Sequence, residues 1–377
     1  MARREAAAGG PGSRALVVDV VRSATAISRV ELAELTGLTQ PSISNIVREL
    51  IADGVIHETG SADSIRGKPR KLLAINPDNR FGLGFQLGPE SVTCVAIDLT
   101  GGVVGREVVP LDGTDRPAQL AARFDDFTTG LDLRPDRIEG LAIVAPTAPS
   151  WAPELADRLR IPVLAENDAA AAALGEFWSR RVSREQAFGS VYLSTGIGAG
   201  LVFGGALFRG ASFDAGALGH VSIAYDGRPC PCGNRGCVEQ YASMAATVEA
   251  ARSAGMRLGP TVAGAYDTLA RAAVSGDPEA FAIVDQAAEY LAVAVTSMVN
   301  LLDLGRLVLT GPGTAVAGSI YARRLRTHLA ATAHARHSHE IVVELSAQPR
   351  DAAAIGAAAL VVQASIAPGH TPSVTPA

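Results

Sequence analysis

Residues 193–223 read LSTGIGAGLVFGGALFRGASFDAGALGHVSI, in the second half of a chain of 377 residues. The pattern predicts a strand, a glycine-rich turn and a second strand. The letters GIGAG superficially suggest a dinucleotide fingerprint, but such glycines are followed by a helix, and here the strand-like LVFGG follows. The stretch therefore argues against a Rossmann-type cofactor site.

Strand and helix patterns alternate on both sides of this stretch. Residues 81–110, FGLGFQLGPESVTCVAIDLTGGVVGREVVP, predict three strands joined by glycine turns, and IEGLAIVAP predicts another. The segment IPVLAEND predicts a strand that ends in Asn167 and Asp168 before the helix AAAAALGEFW. From residue 81 onward the chain is therefore predicted to be α/β.

The composition, 48% hydrophobic and 19% charged with a net charge of −5, is typical of a soluble globular protein. The apolar stretch ALVVDVV is short and carries Asp19, which argues against a signal peptide. The late segment AAAIGAAALVVQASIA contains Gln363 and is too short to span a membrane, so it predicts a buried helix. We expect a cytoplasmic protein without a membrane partner, in which cysteines stay reduced.

The first eighty residues carry a different charge from the rest of the chain. They hold 11 Lys and Arg against 9 Asp and Glu, and the remainder is net negative. Four cations fall within RGKPRK, residues 66–71. Any contact with nucleic acid is therefore expected in this N-terminal part.

Residues 28–50 predict two helices around a tight turn. Ser28 and Glu31 form a capping box, Gly37 ends the first helix and Thr39 can cap the second. The second helix is predicted to bury Ile43, Ile46, Val47 and Leu50. The outer face carries the predicted base-contacting residues Gln40, Ser44, Asn45 and Arg48.

A wing is predicted after this helix pair, from the strands GVIHETG and KPRKLLAIN and the basic tip between them. The predicted phosphate-contacting residues are Arg66, Lys68, Arg70 and Lys71. The N-terminal part is thus predicted to be a winged helix-turn-helix DNA-binding domain at 15–80, after a flexible segment 1–14. The alternative is a small helical domain with a solvated basic loop.

Residues 220–240, HVSIAYDGRPCPCGNRGCVEQ, hold three of the four cysteines of the chain. The spacing of His220, Cys230, Cys232 and Cys237 suits a structural Zn²⁺ site with a closed shell of four ligands. The alternatives are unliganded thiols or one disulfide. Cys94 lies in an apolar strand and is predicted to be a buried small hydrophobe.

Three motifs together resemble the ROK family, which groups sugar-responsive repressors with sugar kinases. They are residues 193–223, AENDAAAAALGE and CPCGNRGCVE, and the similarity extends over about 15–366. The resemblance implies a two-lobed, actin-like (ribonuclease H-like) fold at 81–366, followed by a flexible tail, 367–377. One lobe would be 81–185 plus the helix 351–366, and the other 186–350, with a sugar cleft between them. It also implies a homo-oligomer, a dimer or a tetramer.

The family kinases use two phosphate loops and a catalytic aspartate. STGIGAG matches the second loop and Asp168 matches the general base. The first loop is replaced by QLGPES, in which Pro89 lacks a backbone N–H and Glu90 would repel ATP. We therefore predict that kinase activity is lost and that the chain is not an enzyme.

The resemblance also implies a tentative sugar site at Asn167, Asp168, His220 and Glu239. Each residue has a plainer alternative, because the first two can cap a helix, His220 can serve only the metal and Glu239 can be solvated. Two departures weaken the site. Ala217 stands where the family has a glutamate, and the loop around Thr147 is shortened.

We therefore predict a DNA-binding transcriptional regulator, a repressor, with a kinase-like effector and dimerisation domain that lacks kinase activity. Its partners would be an operator in double-stranded DNA, a sugar or sugar derivative, and a second copy of the chain. The alternatives are an ATP-dependent sugar kinase with an added DNA-binding domain, and a DNA-binding dimer that ignores small molecules.

Overall fold

The computed structural model describes most of the chain. The residues described are 11–24, 26–62, 70–88, 91–111, 115–147, 149–183, 186–212 and 214–366. They form two compact units. The first consists of Met1–Glu166, Phe177–Arg184 and Ala354–Ala377, and the second of Asn167–Glu176 and Glu185–Ala353.

The helices, in chain order, are α1 Pro11–Ala24, α2 Arg29–Thr36, α3 Gln40–Ala52, α4 Arg116–Gly130, α5 Ala152–Leu159, α6 Asp168–Ser179, α7 Glu239–Ala242, α8 Met244–Ser253, α9 Val262–Val274, α10 Pro278–Leu302, α11 Thr314–Thr332 and α12 Ala352–Ile366. The strands are β1 Ile27–Ser28, β2 Ile56–Ala62, β3 Arg70–Ile75, β4 Phe81–Leu87, β5 Ser91–Asp98, β6 Val103–Pro110, β7 Ile138–Ala145, β8 Val163–Asn167, β9 Phe188–Leu193, β10 Ile197–Phe203, β11 Ala206–Leu207, β12 Arg306–Thr310 and β13 Val342–Leu345.

The N-terminal head is a winged helix-turn-helix, as predicted. Ser28 and Glu31 form the capping box of α2, and Gly37 ends that helix with a φ of 69°, a left-handed conformation that glycine adopts without a steric penalty. Thr39 caps α3. The wing is the antiparallel pair of β2 and β3, and β1 pairs with the other edge of β3.

Two details of the head were not predicted from the sequence. Helix α1 begins at Pro11, inside the segment predicted to be flexible. Leu35 of α2 is 67% exposed, and Leu32 is the buried leucine of that helix. Helix α2 has only eight residues, so it presents one narrow face to the core, and Leu35 lies off that face.

The remainder contains two five-stranded sheets with the same strand order. The first sheet runs β6-β5-β4-β7-β8 and the second β11-β10-β9-β12-β13. In each sheet the first three strands along the chain pair antiparallel, and the fourth joins parallel to the first. The chain thus repeats one α/β unit. The glycine-rich turn at Ser194–Gly196 joins β9 to β10, which confirms the prediction that a strand, and not a helix, follows these glycines.

Two apolar helices contribute to the cores of these units. Helix α12 is buried along most of its length, as predicted for its segment, and Gly84 of β4 allows a close approach because a Cβ there would lie 2.0 Å from the carbonyl oxygen of Ala354. Helix α10 is long and apolar enough to cross a membrane by length and composition, and half of its most apolar window is buried within the structure. Its residues Val284, Leu291 and Val295 belong to the core of the second unit.

Candidate functional site

The predicted recognition face of the head lies on α3. The predicted inward residues Ile43, Ile46, Val47 and Leu50 are all buried. On the other face, Gln40, Asn45 and Arg48 are exposed, and Ser44 is half-buried. Arg48 Nη1 donates to Asn45 Oδ1 over 3.1 Å, so these two side chains already act as a pair. The helix therefore offers donors and acceptors of the kind that read base edges.

The wing carries basic side chains that are partly engaged within the protein. Lys71 and Arg29 both bond to the Glu58 carboxylate, and the Arg29 contact is 3.2 Å. The Lys71 ammonium holds the pKa of Glu58 below its usual value, with a smaller contribution from Arg29. The predicted tip residues Arg66 and Lys68, and the side chain of Arg70, lie outside the described residues, although the Arg70 backbone belongs to β3.

Four metal-ligating side chains converge in the second unit. The ligand atoms of His220, Cys230, Cys232 and Cys237 all lie within 4.8 Å of one another. Cys230 Sγ is 3.6 Å from His220 Nδ1, and Cys232 Sγ is 3.7 Å from Cys237 Sγ. The spacing in sequence thus becomes one cluster in space.

These separations fit Zn²⁺. With Zn–S bonds of about 2.3 Å and Zn–N bonds of about 2.0–2.1 Å, tetrahedral geometry places two sulfurs roughly 3.8 Å apart and a sulfur and a nitrogen roughly 3.6 Å apart. The four cysteines are unpaired in the structure, and the 3.7 Å between Cys232 Sγ and Cys237 Sγ is much longer than a disulfide bond. One imidazole and three thiolates close a tetrahedron, so the donor set suits a structural ion.

The loop that carries the cluster is held by its own backbone. Short bridges pair Ser222 with Cys237 and Pro229 with Arg235. Gly236 has a φ of 71°, and a Cβ there would lie 1.7 Å from the carbonyl oxygen of Ala224, so only glycine fits. The ligands are therefore brought together by the loop itself.

Sequence reasoning missed the side chains that surround this loop. Gln240 Nε2 donates to Cys230 Sγ over 3.6 Å, and the Arg228 guanidinium lies 4.7 Å from the centre of the Tyr241 ring. Such outer contacts commonly orient metal ligands. The sequence held no signal for them, because glutamine, arginine and tyrosine are ordinary surface residues.

Asn167 and Asp168 lie at the start of α6. Asn167 Oδ1 accepts hydrogen bonds from the backbone N–H groups of Ala169 and Ala170 at 2.9 and 3.3 Å, so this side chain caps the helix, as its plainer alternative proposed. The helix begins at Asp168, one residue earlier than predicted. Burial raises the pKa of Asp168 to about 6, against hydrogen bonds from the backbone of Ala169 and of Asp168 itself that lower it.

Glu239 meets the glycine-rich loop from the other side. Its Oε2 accepts the backbone N–H of Ile197 over 3.0 Å. Side chains at Gly196 or Gly219 would run into the same carboxylate, since a Cβ would lie 2.7 or 2.9 Å from Oε2. The start of α6 also lies against this loop, because a Cβ on Gly198 would lie 2.6 Å from the Cβ of Ala169. The structure therefore brings Glu239 and the helix that carries Asp168 to the same loop.

The loop motif that corresponds to the first kinase phosphate loop forms the turn from β4 to β5. Gly88 N–H donates to the carbonyl oxygen of Ser91 over 2.7 Å. Gln86 lies in β4, half-buried. Pro89 and Glu90, on which the predicted loss of ATP binding depends, lie outside the described residues. Cys94, in β5, is fully buried as predicted, and burial raises its pKa to about 12.

The two positions predicted to weaken a sugar site are both exposed. Thr147 is exposed, and the start of α5 at Ala152 lies seven positions after the end of β7 at Ala145. Ala217 is also exposed and has no polar side chain.

Comparison with known proteins finds relatives that cover most of the chain. The model of the ROK family matches residues 150–364. The xylose repressor of Caldicellulosiruptor bescii is 26% identical over 385 residues, which is 93% of this chain and 95% of that protein. A crystal structure described as a ROK family transcriptional regulator, a homologue of the Escherichia coli MLC protein, has a TM-score of 0.75 at 26% identity and covers 95% of this chain and 96% of its own.

A sugar kinase of known structure matches a shorter part. The ROK hexokinase of Thermus thermophilus has a TM-score of 0.60 at 27% identity and covers 74% of this chain and 97% of its own. These likenesses confirm the predicted fold class, a winged helix-turn-helix followed by a two-lobed, actin-like α/β domain.

Proposed function

Because this chain belongs to the ROK family, we propose that it is a DNA-binding transcriptional repressor. The observation that carries the proposal is α3, with four apolar residues buried and Gln40, Asn45 and Arg48 exposed on the other face, next to a basic wing. The named repressor relative covers 93% of this chain, head included, whereas the hexokinase covers 74%. The domain predicted at 15–80 would grip an operator, with Gln40, Ser44, Asn45 and Arg48 at base edges and Arg66, Lys68, Arg70 and Lys71 at phosphates.

The protein would act as a homo-oligomer in the cytoplasm. Two heads in a dimer would place their recognition helices in successive major grooves of a pseudo-palindrome. The relatives named as a repressor and as a transcriptional regulator support the role on DNA from which this arrangement follows.

The cluster of His220, Cys230, Cys232 and Cys237 would hold a structural Zn²⁺. The support is the match between the observed S···S and S···N separations and those of a tetrahedral site. The ion would tie the loop 220–237 to the second unit, and with four protein ligands it would have no open position for catalysis.

Kinase activity would be absent. A phosphate loop needs backbone N–H donors and no additional negative charge. Pro89 has no backbone N–H to donate, and Glu90 adds a negative charge. Within the second loop, the backbone N–H of Ile197 is already donated to a carboxylate, that of Glu239. The repressor relatives support this assignment, and the kinase relatives define the rival.

A sugar or sugar derivative would be the effector, held by Asn167, Asp168, His220 and Glu239. The support is that Glu239 and the start of α6 meet at one loop and that Asp168 is a half-buried carboxyl with a raised pKa. Asn167 would contribute through its amide nitrogen, since its oxygen caps α6. Ala217 and the short loop at Thr147 restrict the contacts and favour a ligand with fewer hydroxyl groups.

The decisive experiment selects duplexes from a random pool with the purified full chain and then measures their binding by fluorescence anisotropy. We expect a pseudo-palindromic site bound at least a thousandfold more tightly than random duplex at the same salt, as is typical of specific binders. The matched control is Glu49→Ala, because Glu49 is an exposed residue of α3 next to Arg48 but outside the predicted reading set. Absence of any selected sequence would refute the proposal.

The rival is tested separately by measuring ADP release from ATP with common hexoses and N-acetylhexosamines. We expect no turnover above background. Sustained turnover that Asp168→Asn abolishes would establish a kinase instead. Melting and operator binding measured across the same sugars would identify an effector, and no change in either quantity would leave a DNA-binding dimer that ignores small molecules.

A further inference from the structure

A cavity of about 260 Å³ lies inside the first unit, between the head and the first five-stranded sheet. Its polar lining comes from Arg22 of α1, His57 of β2, Thr100 after β5 and Arg181 after α6. Aliphatic side chains of the head close the rest. Its volume lies below the range of about 300–1,000 Å³ typical of drug-sized ligands, so only a small molecule fits.

Arg22 is buried in the wall of this cavity. The residue is 4% exposed, and its guanidinium carbon lies 5.0 Å from the ring centre of Trp178 and 5.3 Å from that of Phe177. Its two Nη atoms donate to the backbone carbonyls of Trp178 and Val182. Within the part of the chain that the structure describes, Arg22 Nε and His57 Nδ1 are buried without a hydrogen-bond partner. Such unsatisfied groups cost free energy unless something binds them.

The second cation occupies a backbone position that normally belongs to glycine. The backbone N–H of Val182 donates to Phe177 O and that of Arg181 to Trp178 O, which is the Schellman ending of a helix. In this motif Arg181 takes the left-handed position, with a φ of 51°. An arginine there strains the backbone, and such strain is commonly kept where a side chain has a function.

The charges around the cavity favour an anion. Asp19 is buried near Arg22 and raises its pKa, but burial lowers that pKa more, and the nearby Arg181 lowers it further. One carboxylate thus faces two guanidinium groups. A bound anion would relieve the repulsion between the two arginines and supply acceptors for the remaining donors.

We propose that this cavity binds a small oxyanion, a phosphate or a carboxylate, through Arg22, His57 and Arg181. Guanidinium groups suit such ligands because their donors match two oxygens at once. The site lies at the base of the wing, since Ala74 and Ile75 of β3 also line it. It is separate from the four residues proposed to hold a sugar, which lie in the second unit.

The test uses the full chain in a buffer free of phosphate and sulfate, at constant ionic strength. Trp178 reports on the site through its contact with Arg22, and Trp151→Phe removes the other tryptophan. Inorganic phosphate, glycerol 3-phosphate and malonate are titrated while Trp178 emission and the melting temperature are recorded. Glycerol is the neutral control. A free phosphate ligand, a phosphate monoester and a dicarboxylate are distinguished by which probe saturates at the lowest concentration.

Two matched variants decide the outcome. Arg181→Gly keeps a residue that favours the left-handed position and removes the cation, so the fold is retained and the apparent Kd of the best probe rises at least tenfold. Arg180→Gln removes a charge one position away, outside the cavity lining, and leaves the Kd within about twofold. The proposal is overturned if no probe saturates, if glycerol behaves as the anions do, or if both variants weaken binding alike. None of these measurements uses DNA, so the repressor proposal stands or fails separately.

Discussion

Removal of the metal from the His220–Cys237 cluster should destabilise the second unit by an amount that the loop length determines. His220 and Cys237 are 17 residues apart, and the ion would join them as a cross-link. Closing a loop of this length costs roughly 10–11 cal/mol/K of chain entropy, which is about 3 kcal/mol at 25 °C. For a unit of 150–250 residues, a change of this size lowers the melting temperature by roughly 6–12 °C.

The assay is calorimetry of the full chain before and after chelation at neutral pH, with the zinc content measured by mass spectrometry. Cys232→Ser removes one ligand at an exposed position, so the substitution creates no cavity. This variant should melt like the chelated protein and should not respond to chelator, because both perturbations remove the same cross-link. Tyr225→Ser, at a 90% exposed position of the same loop, should keep the metal and the melting temperature. One zinc per chain lost without any change in melting would refute the reasoning.

Three further predictions concern the head and the second unit. Ser28→Ala removes the oxygen that caps α2 and should lower the free energy of unfolding by about 1 kcal/mol in urea titrations, and an unchanged midpoint would contradict the role of the capping box. Asp168→Asn should stabilise the protein at pH 7. A carboxyl whose pKa rises from 3.8 to about 6 on folding favours the folded state below pH 3.8, and this contribution is lost as the pH rises through 6. The difference in free energy of unfolding between the variant and the wild type should therefore widen between pH 4 and 6, by on the order of 1–3 kcal/mol, and a difference that stays constant with pH would count against a raised pKa. Arg48→Ala should relax base preference, whereas Lys71→Ala should weaken operator and random duplex alike and reduce the salt slope by about 1; equal losses for both variants on both duplexes would refute this division.

The sequence predicted features whose cause is local. The capping box at Ser28 depends on residues three apart, and the metal cluster depends on a short loop whose glycines permit one conformation. The antiparallel hairpin around Gly196 follows from two apolar runs on either side of a glycine-rich turn. These features could be predicted from the sequence because the interacting residues are neighbours in the chain.

Contacts between residues that are distant in the sequence could not be predicted in the same way. Lys71 reaches Glu58 because the register of β2 and β3 places them together, and a bulge between Glu58 and Gly60 sets that register. The exposure of Leu35 depends on which face of α2 meets the rest of the head. Arg22 bonds to a residue 156 positions away, and its surroundings follow from tertiary packing alone.

The packing of Arg22 against Phe177 and Trp178 limits how freely the head can be exchanged in protein engineering. Trp178 is 1% exposed in the intact chain, and a fragment that starts at Phe81 would uncover one side of its indole. A chimaera with a foreign reader domain would need a flat cation at the matching helix position to cover the same ring. Modular shuffling of such regulators is therefore expected to succeed when the cut is made with this stacking partner included.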